Sequence, residues 1–375
     1  MARRAAGVVG VPVRPRLAWL FPDCSNHPAA AWGCGCPSLP KEGQSAANIS
    51  NCLPKLLKDS GLRSSGNLDQ PATTYRHAGN GHGMSLPGRA LSVIGALRIL
   101  ETAFRTSFNE ELFHWKVSRP GARLHLAEHA TLTTLELPIP GMDAVTVYDW
   151  ASTARGAGRD LYRQAIAGHT LISIGGTADS CRAKAKLGLQ VVGSMYIYTR
   201  ILRPRLARYV WDSVRGTRAS GLPPRVQAEP VEQFGINDIS GECVQCLWPQ
   251  RTAEWVNSLL KCPVGSPRGF VLRNTQRALG YGVLMQFGQL CRIVDLRVAS
   301  GDQADWDQAI AALVAVVERQ PGTRMVRSAA TCRSMASALT ANGFWKGGRI
   351  RIYSKDALDV SNIHLTASDG DLLVL

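Results

Sequence analysis

The strongest constraint on this chain is an order of expected elements that occurs twice. Apolar and polar residues alternate through Ala122–Glu128, Thr131–Leu137 and Ala144–Tyr148, with Pro-Gly turns between, which predicts three short antiparallel strands. A helix is expected at Gly158–Ala167, a buried strand at Thr170–Ile174, a helix at Asp179–Leu187 ending at Gly188, and a strand at Val191–Ile201. The order then returns. A helix at Arg251–Leu260 precedes strands at Gly269–Arg273, Leu279–Phe287 and Leu290–Val298. Asp305–Glu318 carries Trp306, Ile310, Leu313, Val314 and Val317 on one helical face. A strand at Thr323–Arg327, a helix at Thr331–Ala341 stopped by Asn342-Gly343, and a strand at Arg349–Tyr353 complete it. The repeated order means one α/β module built twice.

The length of 375 residues suits two domains and a tail, at roughly 150 residues per domain. Residues 1–90 are rich in Pro, Gly, Ser and Asn without periodicity, and read as an irregular extension. Leu91 to Phe104 shows helical spacing. The expected division is a first module at 91–205, a basic linker at 206–230, a second module at 231–357 and a tail at 358–375. The fold class expected is α/β, an α+β arrangement with mixed sheets in two tandem modules.

Composition excludes several classes. Hydrophobic residues at 45% and charged residues at 19% offset chain entropy and argue against wholesale disorder. Every apolar run is interrupted by Arg, Lys or Asp before the roughly 18 residues a membrane helix needs, so no span is expected. Arg14 and Arg16 cut short the apolar patch at the N-terminus, which reads as non-secretory; a cytoplasmic location and ten cysteines held as thiols follow. The formal charge of +15 suits a polyanion, but arginine is spread along the chain. Its densest stretch, Arg200–Arg225, lacks the aromatics of a single-strand binder, so nucleic acid is not the expected partner.

Two stretches of the sequence carry metal-ligating residue types. Cys243-Val-Gln-Cys246 is a lone CxxC with no second pair at ligand spacing. His125-Leu-Ala-Glu-His129 spells a peptidase motif that needs a helix, whereas its surroundings alternate like a strand. No metal is expected. Ile172-Ser-Ile-Gly-Gly-Thr lacks the glycine pattern and acidic partner of a dinucleotide turn.

Between the strand Val145–Asp149 and the next helix runs Thr153-Ala-Arg-Gly-Ala-Gly158-Arg159. Glycines let a backbone approach closely, and a helix N-terminus offers unpaired N–H donors and a positive dipole end, so this loop suits a pyrophosphate. Arg155 and Arg159 would add charge-assisted contacts.

With that loop inside it, the repeated order resembles the GNAT N-acetyltransferase superfamily, most strongly over 144–203 and 269–354. The resemblance implies acetyl-CoA or another acyl-CoA as co-substrate, held at Thr153, Arg155, Gly156, Ala157, Gly158 and Arg159. Thr153 stands where the family prefers Gln or Arg. The resemblance further implies a small-molecule amine acceptor, weakly an amino sugar, with Asp149 as base and a tyrosine as proton donor to the leaving thiolate. The family's tyrosine is replaced by Lys184 in the first module and Leu339 in the second, leaving Tyr148, Tyr196 and Tyr198 as substitutes, of which Tyr196 is taken with Asp149. The second module has one glycine and two acids in Val298–Asp305, so no CoA is expected there. It is expected to support the first module, shape the acceptor cleft or mediate a homodimer. The competing expectations are a catalytically silent two-module scaffold, favoured by the missing tyrosines and Thr153, and a basic nucleic-acid-associated protein whose binding falls steeply with salt.

Overall fold

The computed structural model describes residues 86–202, 225–239, 246–275 and 277–370. Most of the expected extension, the densest part of the basic linker, and Cys24, Cys34, Cys36, Cys52 and Cys243 lie outside the described residues. Everything described belongs to one compact unit.

The first set of elements is α1 (Leu86–Phe104), α2 (Glu110–Ser118), β1 (Ala122–Ala127), β2 (Ala130–Ile139), β3 (Met142–Ser152), α3 (Ala157–Ala165), β4 (Thr170–Leu171), β5 (Ser173–Ile174), α4 (Ala178–Lys186) and β6 (Gln190–Ile201). The second is β7 (Gln227–Val231), α5 (Ile236–Ile239), α6 (Ala253–Leu260), β8 (Ser266–Arg273), β9 (Ala278–Phe287), β10 (Leu290–Val298), α7 (Gln303–Glu318), β11 (Met325–Ala330), α8 (Arg333–Ala341) and β12 (Trp345–Ser354). Helix, three-strand meander, helix, strand, helix, strand therefore occurs twice. Helix starts are set locally: the side chains of Asn109, Thr177, Thr252 and Asp302 each accept a backbone N–H in the first turn of α2, α4, α6 and α7. Among the described residues no helix is long and apolar enough to cross a membrane.

Two sheets result. The smaller has the order β1-β2-β3-β4, with β3 and β4 parallel and the other pairs antiparallel. The larger has the order β5-β12-β6-β11-β10-β9-β8-β7, with β10 and β11 its parallel pair. Its centre is an exchange. β6, from the first set, lies between β11 and β12 of the second, while β12 lies between β6 and β5 of the first.

Each parallel pair opens like a V. β4 pairs with β3 only at Ala144↔Thr170 and Val145↔Leu171, after which the chain leaves for β12, where Ser173 and Ile174 pair with Tyr353 and Ile352. β11 pairs with β10 from Met325 to Ser328, and its last two residues pair only with β6.

The second opening is filled by the chain's own C-terminal segment. Residues 363–370 are buried without exception. Thr366 Oγ1 donates to Asp295 Oδ1 at 3.0 Å, the Leu365 amide donates to Thr331 Oγ1 at 2.8 Å, and His364 Nε2 donates to the Leu296 carbonyl at 2.7 Å. Arg251 pairs with Asp369 and lies 3.8 Å from Asp295, both partners being fully buried. The Arg251 guanidinium also stacks 3.5 Å above the Trp255 ring, an apolar cover for a desolvated charge. Arg119 donates to the Ser368 carbonyl at 3.0 Å, so the segment is also tied to the end of α2.

Candidate active site

The first opening is bounded by β3, the β4–β5 segment, α2 and the N-terminus of α3. β2 and β3 shift register between Thr131 and Thr133, which leaves Asp149 and Trp150 as a bulge on β3. Asp149 carries the bend at a φ of 52°, a conformation that aspartate tolerates better than most residues. Its carboxylate is buried and lies 3.1 Å from Lys116 Nζ on α2. The neighbouring Tyr148 hydroxyl donates to the Lys116 carbonyl at 3.2 Å, which holds the same helix turn against the strand.

The second set carries an aspartate in the same situation. Asp295 follows a register shift between Ile293 and Asp295 on β10, and it receives the Tyr281 hydroxyl at 2.9 Å together with Thr366. Burial, with the Asp295 carboxylate beside it, pushes the Tyr281 phenol far above its ordinary range.

The loop after β3 is fixed at both ends. The Thr153 amide donates to the His129 carbonyl at 2.9 Å, and the Trp150 indole N–H donates to the Gly158 carbonyl at 2.9 Å. Gly156 is the N-cap of α3 with φ 90° and makes no side-chain cap bond. Thr153, Arg155 and Arg159 are exposed beside it. The two glycines do different work. A Cβ on Gly156 would meet nothing within 4 Å, whereas one on Gly158 would fall 2.9 Å from Ser152 Cβ and 3.0 Å from Trp150 Nε1. Gly158 is therefore demanded by helix–strand packing, and Gly156 by its backbone turn. A glycine-turned helix start beside exposed Arg155, with Arg159 3.3 Å from the first-turn carboxylate of Asp160, fits an anionic cofactor group through its backbone amides. The corresponding start of α7 is closed: the Asp302 carboxylate accepts from the Ala304 amide at 2.9 Å.

Of the two residues expected to act on protons, Asp149 lies on the β3 bulge with its carboxylate against Lys116 of α2. Tyr196 lies on β6 opposite Ala330 and Arg349, with Lys346 Nζ 3.3 Å from its ring centroid. It packs against the second set's core, so the structure does not bring it to Asp149's surroundings. Sequence reasoning missed Lys116, which has no motif, and underused Lys184. Lys184 is buried on α4, donates to the Gly175 carbonyl at the end of β5, and stands 5.1 Å from the Tyr353 ring centroid. Burial, opposed by the nearby Cys181 sulfur, lowers its pKa to about 8.

His125 lies on β1 and His129 in the turn that follows, so the H-x-x-E-H residues share no helix face. His125 Nε2 is 3.0 Å from Thr134 Oγ1, and burial together with the Arg123 charge lowers its pKa. Among the described residues no group of three or more His, Cys, Asp or Glu side chains is arranged to hold a metal ion.

No family model and no curated protein matches the chain. Solved structures are similar to it. A probable N-acyltransferase from Enterococcus faecalis V583, of unknown function, shares 13% identity over 70% of each chain with a TM-score of 0.48. A GCN5-related N-acetyltransferase from Anabaena variabilis shares 15% over 72% of this chain and 70% of its own, with a TM-score of 0.47. A tandem GNAT protein from the clavulanic acid biosynthesis pathway shares 15% over 72% of this chain and 96% of its own, at 0.44.

Proposed function

We propose that this chain is an N-acyltransferase that moves an acetyl or other acyl group from acyl-CoA to an amine acceptor, with an amino sugar as the acceptor class. The observation that carries the reading is the uncapped, glycine-turned N-terminus of α3 beside the V between β3 and β5. The amides of Gly156, Ala157 and Gly158 face a pyrophosphate, with Arg155 and Arg159 adding charge and Thr153 anchoring the loop to His129. The pantetheine arm runs along the open edge of β3 toward Asp149. There the acceptor amine attacks the thioester carbonyl, the C–S bond breaks, and the amine's proton passes to Asp149 as the CoA thiolate leaves. Lys116, paired with Asp149, is the positioning residue that sets the carboxylate's direction.

A second reading, a scaffold without catalysis, is favoured by one observation: Lys116 already occupies the carboxylate that would serve as base.

The test is calorimetric titration of acetyl-CoA into the full chain and into Gly156→Glu. Gly158 is left intact because the fold needs it. Micromolar binding that is lost in the variant is the expected outcome, followed by CoA-thiol release with amine acceptors that Asp149→Asn slows at least 100-fold. No heat at millimolar ligand overturns the reading; binding without turnover over an amine panel leaves the scaffold.

A further inference from the structure

The second set buries a sulfur–imidazole pair that acyl transfer does not use. Cys332 is the N-cap residue of α8, makes no side-chain cap bond, and has its Sγ 3.2 Å from His364 Nδ1. His364 comes from the C-terminal segment. Its Nε2–H is spent on the Leu296 carbonyl, which turns Nδ1 to the sulfur. Trp306 stands edge-on to the imidazole at 5.4 Å and Trp248 lies on another side at 6.1 Å.

A second thiol lies nearby. Cys246 packs against the same apolar cluster that holds Cys332 and is only partly buried, whereas Cys332 is 1% exposed. The residue after Cys246 holds the C-terminal segment directly: the Leu247 amide donates to Asn362 at 2.8 Å, and the His364 amide donates to Leu247 at 2.6 Å. Two reduced cysteines are therefore both tied to the segment that fills the second opening, Cys332 through His364 and Cys246 through its neighbour Leu247. A buried lone thiol is inert, but this one is not alone. The proximity of Cys246, against the cost of burial and with the charge of His364, draws the Cys332 thiol below its ordinary range.

We propose that Cys332 and Cys246 are an oxidation site, converted by a hydroperoxide to a disulfide that takes Cys332 away from His364 and loosens the C-terminal segment. The Cys332 thiolate attacks one peroxide oxygen, the O–O bond breaks, and the departing hydroxide or alkoxide takes the proton held between His364 and the sulfur. The product is a sulfenic acid. Cys246 then attacks that sulfur, the S–O bond breaks, and water leaves with the thiol proton. Two thiols lose two electrons and two protons; the hydroperoxide gains them and becomes an alcohol and water, or two waters from hydrogen peroxide. His364 loses the anion it was paired with, and the segment keeps one fewer anchor.

The test treats the full reduced chain with hydrogen peroxide and maps its thiols by non-reducing peptide mass spectrometry, alongside limited proteolysis of the C-terminal segment. Expected are a Cys246–Cys332 linked peptide, loss of two thiols that dithiothreitol restores, and cleavage after residue 358 about tenfold faster in the oxidised chain. Cys246→Ser is expected to stop at the sulfenic acid, trapped by dimedone, and His364→Asn to slow oxidation at least tenfold. The mapping uses the unaltered chain, so it reads out even where a variant fails to fold. Oxidation at Cys181 with Cys246 and Cys332 intact overturns the proposal. So does zinc bound in the isolated protein and released only when these thiols are modified, and so does a disulfide that leaves proteolysis unchanged.

Discussion

At the scale of single residues, Lys184 makes the sharpest claim. An ammonium this deeply buried, with no carboxylate partner among the described residues, is held by the Gly175 carbonyl and the Tyr353 ring. The unfolded chain keeps the proton up to its ordinary value of 10.5, while the folded chain gives it up near 8. Between those values the unfolded state binds more protons, so folding stability rises with pH; below about 8 both states are charged and the burial cost is felt in full. Lys184→Met is therefore expected to stabilise the protein at about pH 7 by roughly 2–3 kcal/mol and to remove the rise toward about pH 9.5. Urea midpoints at both pH values check this. Parallel shifts of wild type and variant would mean that the amine reaches water. In the sequence Lys184 is visible only as an absent tyrosine, because Ala-Lys-Ala-Lys gives no apolar signature of burial.

At the scale of elements, α3 rests on two glycines with separable costs. Gly158→Ala puts a methyl against Ser152 and Trp150 and is expected to cost about 1–3 kcal/mol as overpacking. Gly156→Ala meets open space and costs about 1–2 kcal/mol from its left-handed backbone alone. Near-ultraviolet circular dichroism during unfolding separates them: only Gly158→Ala is expected to disturb the Trp150–Tyr162 ring pair, whose centroids are 4.6 Å apart. An unchanged spectrum would show that the helix start yields without moving the tryptophan. Most elements were legible because their apolar residues recur at strand or helix spacing between turn residues, even though β2, β9 and β10 are buried along nearly their whole length. The α2 helix was missed because its nine residues bury only Leu112, Phe113 and Val117, too few for a period. The β7 strand was missed because Gln-Ala-Glu-Pro-Val reads as polar, and Pro230 is tolerated only because the strand is an edge. The loop at 153–159 was legible as a pattern, but its second glycine answers to packing, a demand set by Trp150 and Ser152.

At the scale of the whole molecule, sequence periodicity states which strands exist but not which of them pair. The exchange of β6 and β12 depends on edges that no local pattern encodes, and so does the burial of residues 363–370, which have neither helical nor strand period. The consequence is that neither half is expected to stand alone. Polypeptides 86–202 and 225–375, each made separately, are expected to lack a cooperative unfolding transition and to recover one when produced together, as size-exclusion chromatography and urea unfolding would report. Cooperative unfolding of either half by itself would refute this.

The same interlocking sets a schedule for synthesis. Ile174 has no partner until Ile352 has been made, roughly 180 residues later, a wait of about 10 to 35 seconds at ribosomal rates of about 5–20 residues per second. During that wait the edge of β6 is exposed to whatever emerges beside it. Neighbouring ribosomes on one message present an identical strand, so cross-pairing between nascent copies is the assembly error to which this topology leaves the protein most open.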